Sequence, residues 1–394
     1  MIGSQYDTCQ NRVNTINKQE SFSKTHIFKT IIQIRVGRHE PRAPQPARIY
    51  FQSMLFLNRN IRSLLLSAVA LLAMAVATPS CGLINDDLDP CPQGVVLRFV
   101  YDYNMEFANA FPSQVDCLTV LVYDEQGNYV TQRTVTNRAD LADENWRMTI
   151  DLPEGRYRLV AYGGMACDKS SFHFVESPAE GTSLSNLKVA LDPSELTSPV
   201  GQDLHDLFYG NLDVEVKQGA LDYAYYTLPM MKDTNSLRLI LQELNGEPVD
   251  NRNFEFSIVD DNTLMAWDNA VIPTSPTTYF PWAEGQASTG LLPDGSEVKV
   301  AFAELSFPRL VTTNEPRLRV TLRSDGSEVI DIPLINYLAL YKSERYADMP
   351  VQEFLDRESR WVMIFFLDRH WKWVKTQIVV NDWIVRINNV DLGQ

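Results

Sequence analysis

From residue 95 onward, runs of alternating apolar and polar residues recur with a period of two, which points to antiparallel sheets with one buried face. In 95–103, Val95, Leu97, Phe99, Tyr101 and Tyr103 point one way while Arg98 and Asp102 point the other. Residues 117–123 are apolar, and Asp124-Glu125-Gln126-Gly127 then turns the chain into Asn128-Tyr129-Val130. Pro153-Glu154-Gly155 is a second turn, beyond which Tyr157, Leu159 and Ala161 share a face. The pattern resumes in Leu237, Leu239 and Leu241, and again in Phe254, Phe256 and Ile258. It is clearest where Leu318, Val320 and Leu322 oppose Arg317, Arg319, Thr321 and Arg323, before the turn Ser324-Asp325-Gly326-Ser327. A helical period is sustained around 350–357, which predicts one short helix. Short, regularly spaced strands predict an all-β fold of two tandem β-sandwiches. A break at Gly219 divides them into 95–218 and 219–394, each long enough for its own core. Residues 272–290, rich in Pro, Thr and Gly, predict a long surface loop in the second.

The head of the chain has a different pattern. In residues 54–81, Arg59 and Arg62 precede an uncharged run of 14 residues, 64–77, interrupted by Ser67. A membrane span needs about 20 apolar residues, whereas this length suits the core of a signal peptide. Thr78, Pro79 and Ser80 then lead to Cys81. Residues 54–80 therefore predict a lipoprotein signal peptide, with Cys81 as the thiol that takes diacylglycerol and becomes the new N-terminus. Thr78 stands where such a lipobox usually has Leu. A plain secretory signal and an uncleaved interfacial anchor are the competing expectations. Residues 1–53 hold no long apolar run, so Met54 is the expected biological start and 1–53 an unstructured upstream extension; a disordered tail is the alternative. Residues 81–94 read as an acidic tether: Asp86, Asp87 and Asp89 keep it solvated, and Pro90 and Pro92 discourage regular structure.

The charge of −15 is unevenly spread: residues 1–80 carry +7, which leaves −22 to residues 81–394. A surface so acidic repels phosphate backbones and excludes nucleic acid as a partner. Five cysteines occur, at 9, 81, 91, 117 and 167, with no C-x-x-C pair. Cys117 sits in an apolar run and is expected as a buried free thiol. One bridge among Cys91, Cys117 and Cys167 is the alternative, since an exported protein can form disulfides.

Little catalytic chemistry is legible. From residue 81 on, the histidines are His173, His205 and His370, and none has metal-ligand spacing. There is no G-x-S-x-G elbow, P-loop or dinucleotide fingerprint, so neither an enzyme nor a cofactor is expected. Asp203-Leu204-His205-Asp206 could form an acid–base cluster, but reads first as a polar loop. Trp361, Trp371, Trp373 and Trp383 crowd the C-terminal region, with Trp267 and Trp282 before them. Exposed Trp rings stack on sugars, so Trp371 and Trp373 are candidate glycan or interface contacts; a sandwich core or a protein interface is the stronger expectation for both.

The run CGLINDDLDPCPQGVVLRFVYDYNMEFANAF, followed by QVDCLTVLVYDEQGNYV and LPEGRYRLVAYGG, resembles the fimbrial anchor lipoproteins of Bacteroidales, the FimB/Mfa-type minor subunits. EFLDRESRWVMIFFLD and IVVNDWIVRINN are similar to that family's second domain. The resemblance covers nearly all of 81–394. It implies two transthyretin-like β-sandwiches at the base of a fimbrium, held to the outer membrane on the cell surface through lipid on Cys81. It also implies that the protein limits fimbrial length and engages the shaft subunits by β-strand addition. A surface glycan-binding lipoprotein is the competing function, and a hydrolase using paired carboxylates a third.

Overall fold

The strands form where the alternation supplies an apolar stripe. The computed structural model describes residues 93–387 apart from 198–199, 218–221, 292–294, 343–345 and 381–382; Cys81, Cys91, the extension expected at 1–53 and the signal peptide expected at 54–80 lie outside these. The first ten strands are β1 Gly94–Val100, β2 Leu118–Asp124, β3 Tyr129–Val135, β4 Met148–Asp151, β5 Gly155–Gly163, β6 Phe172–Phe174, β7 Lys188–Leu191, β8 Phe208–Val216, β9 Ala224–Pro229 and β10 Met231–Lys232. The others are β11 Thr234–Glu243, β12 Phe254–Asp260, β13 Leu264–Ala266, β14 Thr277–Tyr279, β15 Ala283–Leu291, β16 Glu297–Pro308, β17 Arg317–Leu322, β18 Glu328–Pro333, β19 Arg360–Leu367, β20 Trp373–Val380 and β21 Trp383–Ile387.

A three-stranded sheet, β4-β1-β9, and a five-stranded sheet, β10-β8-β5-β2-β3, make the first sandwich. Val95, Leu97 and Phe99 of β1 are buried against Val120, Val122, Leu159 and Ala161 of the larger sheet, while Arg98 is exposed. The larger sheet is buried on both faces. Leu121, Tyr123, Val160, Tyr162 and Tyr209, on its other side, belong to a second core. That explains why β2 is a continuous apolar run rather than an alternation. The far side is covered by a three-stranded sheet, β13-β7-β6, in which β13 pairs antiparallel with β7 in the register Leu264↔Ala190.

The second sandwich packs a six-stranded sheet, β15-β16-β11-β19-β20-β21, on a four-stranded one, β14-β12-β17-β18. β11 is central, antiparallel to β16 and parallel to β19. Leu237, Leu239 and Leu241 of β11 are fully buried, as are Phe254 and Phe256 of β12. Each such side chain contributes about 1.5–3 kcal/mol through burial. The parallel pairing requires a crossover, and two helices lie on it: α3 Leu334–Ala339 and α4 Val351–Arg357. Two shorter helices, α1 Phe111–Gln114 and α2 Arg138–Leu141, lie in the first sandwich.

The helix expected at 350–357 is α4, with Pro350 at its N-cap and Phe354 and Leu355 buried. The loop expected at 272–290 is replaced in large part by strands β14 and β15. β15 is an edge strand whose backbone pairs with β16 while its side chains stay mostly exposed, so it carries no apolar stripe to read. Residues 224–232 pair with first-sandwich strands: β9 runs parallel to β1 and β10 antiparallel to β8. Sheet membership therefore changes at Asp233, beyond Gly219. The shared core makes Gln93–Gln394 one compact unit.

Candidate functional site

Residues of both sandwiches line a cleft of about 790 Å³. One wall is the segment 202–206, which carries the Asp203-Leu204-His205-Asp206 motif; Lys232, Thr234, Asn235 and Ser236 form another. The motif does not assemble a catalytic cluster. Asp206 is held 2.7 Å from the Lys232 ammonium and accepts from the Thr234 hydroxyl at 2.9 Å. Asp203 instead accepts from Ser306 at 3.1 Å, and the His205 backbone N–H donates to Ser171 Oγ at 2.8 Å. Among the described residues, no group of three or more His, Cys, Asp or Glu side chains could hold a metal ion.

A disulfide between Cys117 and Cys167 shapes this cleft, so Cys117 is not the free thiol its apolar surroundings predict. The two Cα atoms lie 5.5 Å apart across 50 residues of chain. Gln114 and Asp116 before Cys117, and Lys169, Ser170 and Ser171 after Cys167, all line the cleft. Gly164 allows the walls to close in: a Cβ there would sit 1.9 Å from the Asp206 carbonyl oxygen, and its φ of +91° is itself unfavourable to other residues. A smaller hollow of about 260 Å³ shares Gln114 and Arg360 with the cleft. Its lining mixes the aromatic residues Tyr101, Tyr341, Tyr346 and Phe354 with charged ones, Glu106, Arg357, Glu358 and Arg360.

Behind the changeover at Asp233 lies a buried ionic node. Arg309, at the end of β16, binds both oxygens of Asp356 on α4 at 2.8 and 2.9 Å. It also donates to the Asn269 carbonyl at 2.6 Å and lies 4.0 Å from Asp233. Asp233 has no exposed surface, and one of its oxygens has no partner. Burial pushes its carboxyl up to about 7 against the pull of Arg309 and Asn269. Asp260, also buried, is pushed up to about 6. A carboxyl whose folded pKa is raised contributes stability that is fully present below its unfolded value of 3.8 and lost as pH rises through about 7. Asp233→Asn should therefore gain stability over the parent at pH 8 and lose that advantage by pH 4, measured by urea titration. Parallel curves at the two pH values would contradict this.

The tryptophans are mostly packing groups. Trp361 is buried and its Nε1 donates to Asn235 Oδ1 at 3.1 Å. Trp371 lies in the turn between β19 and β20 at φ 62°, its ring edge-on to Phe254 at 5.4 Å. Trp373 packs on Phe365 and Tyr337, and its Nε1 donates to Thr376 Oγ1 at 3.0 Å. Both rings are half-buried against the second core. The long edge is elsewhere: among the described residues β15 pairs on one side alone, with β16, and exposed Trp282 precedes it while exposed Leu291 ends it.

A family model for fimbrillin-A associated anchor proteins Mfa1 and Mfa2 matches residues 88–389. The chain belongs to this anchor family. The minor fimbrium anchoring subunit Mfa2 of Porphyromonas gingivalis is 22% identical over 340 residues, covering 84% of this chain and 98% of that protein. The crystal structure of a candidate adhesin from Bacteroides thetaiotaomicron is 54% identical with a TM-score of 0.71, covering 77% of this chain and all of that one. A second protein of that organism, described as a candidate polysaccharide-binding protein, is 30% identical with a TM-score of 0.63, covering 76% and 98%. The Mfa2 structure, at 18% identity and a TM-score of 0.56 over 75% of this chain and 99% of that one, shares the fold. This anchor-family protein is thus a fimbrial subunit of the cell surface that associates with other fimbrial subunits, and not an enzyme.

Proposed function

We propose that this anchor-family chain is the lipid-tethered base of a fimbrium. Cys81 carries the acyl chains that hold it in the outer membrane, on the outer face. The folded part joins the first shaft subunit by β-strand addition, and capping the growing end in this way limits fimbrial length. The observation that carries the reading is the family match, which begins inside the acidic tether that follows Cys81. More than one acyl chain makes such a tether durable, since each buried methylene adds about 0.8 kcal/mol.

Free strand edges offer unpaired backbone donors and acceptors to an incoming strand. β15 suits this best. It is nine residues long, carries a single charge at Glu284, and has exposed apolar side chains at both ends in Trp282 and Leu291. Lysine on an edge strand opposes pairing with another strand. Ala287→Lys, at an exposed position, should therefore reduce co-purification of shaft subunits with the anchor while leaving the thermal midpoint unchanged. Full retention of the shaft subunits would remove β15 as the contact.

A further inference from the structure

We propose that the cleft and the adjoining hollow together bind a neutral oligosaccharide, a role beyond anchoring and independent of it. The two spaces share Gln114 and Arg360 and so adjoin. The larger, at about 790 Å³, has the size of small-ligand sites, about 300–1,000 Å³.

The lining selects the ligand class. Charges of both signs face the cleft and several are paired internally, Lys232 with Asp206 and Asp116 with Arg138 at 3.0 Å. A cleft so balanced gives an anionic or cationic ligand no advantage. The exposed amide of Gln202 can both donate and accept, as a polyhydroxylated ligand requires, with the hydroxyls of Ser170 and Ser236 beside it.

The other half of saccharide recognition, an aromatic surface for the apolar face of a sugar ring, comes from half-buried Tyr346 and exposed Phe107, since Tyr101, Tyr341 and Phe354 are buried. Phe107 stands beside the hollow, 51% exposed, and its ring stacks on Tyr346 of the lining at 6.4 Å. The Arg357 guanidinium lies 4.7 Å from the Phe107 ring and 4.0 Å from that of Tyr103. Phe107 holds φ 53°, an unfavourable backbone for an aromatic residue. Asn104 imposes that geometry: its carbonyl accepts from the Phe107 N–H at 3.2 Å, and its side chain donates to the carbonyls of Ala108 and Tyr101. Such strain in an exposed aromatic beside a hollow points to a functional contact. The disulfide between Cys117 and Cys167 fixes the opposite wall in advance of binding.

The test is an array of neutral gluco-, manno-, galacto- and xylo-oligosaccharides, with sialylated and sulfated glycans as charge controls. The full chain is probed in a non-glycosidic detergent. At least one neutral class should be retained. Phe107→Gly should weaken that binding about tenfold, as loss of a central aromatic contact does. Its thermal midpoint should hold or rise, because glycine adopts positive φ without strain. A purely structural Phe107 would give the reverse, a lower midpoint with unchanged affinity, and that result would overturn the proposal. Retention of charged glycans alone, or of none, would also overturn it. Neither outcome depends on whether fimbriae are shed when Cys81 is replaced.

Discussion

Arg309→Met is expected to cost roughly 3–5 kcal/mol of folding stability, the range for breaking a buried ion pair from one side. Methionine fills similar space but leaves Asp356 and the fully buried Asp233 without their cation. Three segments lose a common partner at once: the Asn269 turn, α4 and the Asp233 changeover. An exposed pair such as Arg156 with Glu215, 3.8 Å apart, should by contrast contribute no more than about 1 kcal/mol. The deficit of Arg309→Met should shrink in acid, because a protonated carboxyl no longer needs a cation, and the buried Asp233 is already disposed to take a proton. Urea titrations at pH 5 and pH 8 test both points. A loss below about 1 kcal/mol at pH 8 would mean that the node is not carrying the junction.

Removing the disulfide by Cys117→Ala with Cys167→Ala should lower stability by about 4 kcal/mol, the loop-closure estimate for the 50 residues it spans. For a folded unit of this size that corresponds to a midpoint about 6 °C lower. The larger consequence is local, because Gln114, Asp116 and residues 169–171 flank the two cysteines and line the cleft. Proteolysis of the variant should begin in 164–171 while the β11–β19 pairing stays protected. A midpoint within about 2 °C of the parent would show that the rest of the core already holds this wall. The bridge also fits an oxidising compartment, as expected of an exported chain.

What could be read in advance follows from which interactions are local. The stripe of Leu237, Leu239 and Leu241 announces β11, because side-chain direction in a strand follows from sequence parity alone. The short helix at 350–357 is legible for the same reason, with Pro350 marking its start. β15 is not, since an exposed edge strand has no buried face to impose a pattern. The sharing of β9, β10 and β13 between halves is equally hidden. Residues 224–232 look like any strand pair, and their partners lie in β1 and β8.

The site divides along the same line. Asp203, His205 and Asp206 are conspicuous as a motif, yet their partners Ser306, Ser171 and Lys232 come from three other segments. Phe107 gave no signal, because its positive φ belongs to an irregular turn around Asn104 and its contact with Arg357 arises from tertiary packing. The pairing of Cys117 with Cys167 likewise depends on a loop returning to the start of β2. Trp371 and Trp373, close in sequence, part company in the fold: one lies in a turn, the other begins β20, and both rings pack on the core.

The central claim is that the chain ties a fimbrium to the membrane through Cys81. The direct measurement is to replace Cys81 with Ala in the native host and compare fimbriae on the cells with fimbriae in the medium. Long fimbriae released into the medium are the predicted result. Fimbriae of unchanged number and length on the cells would contradict lipid-dependent anchoring.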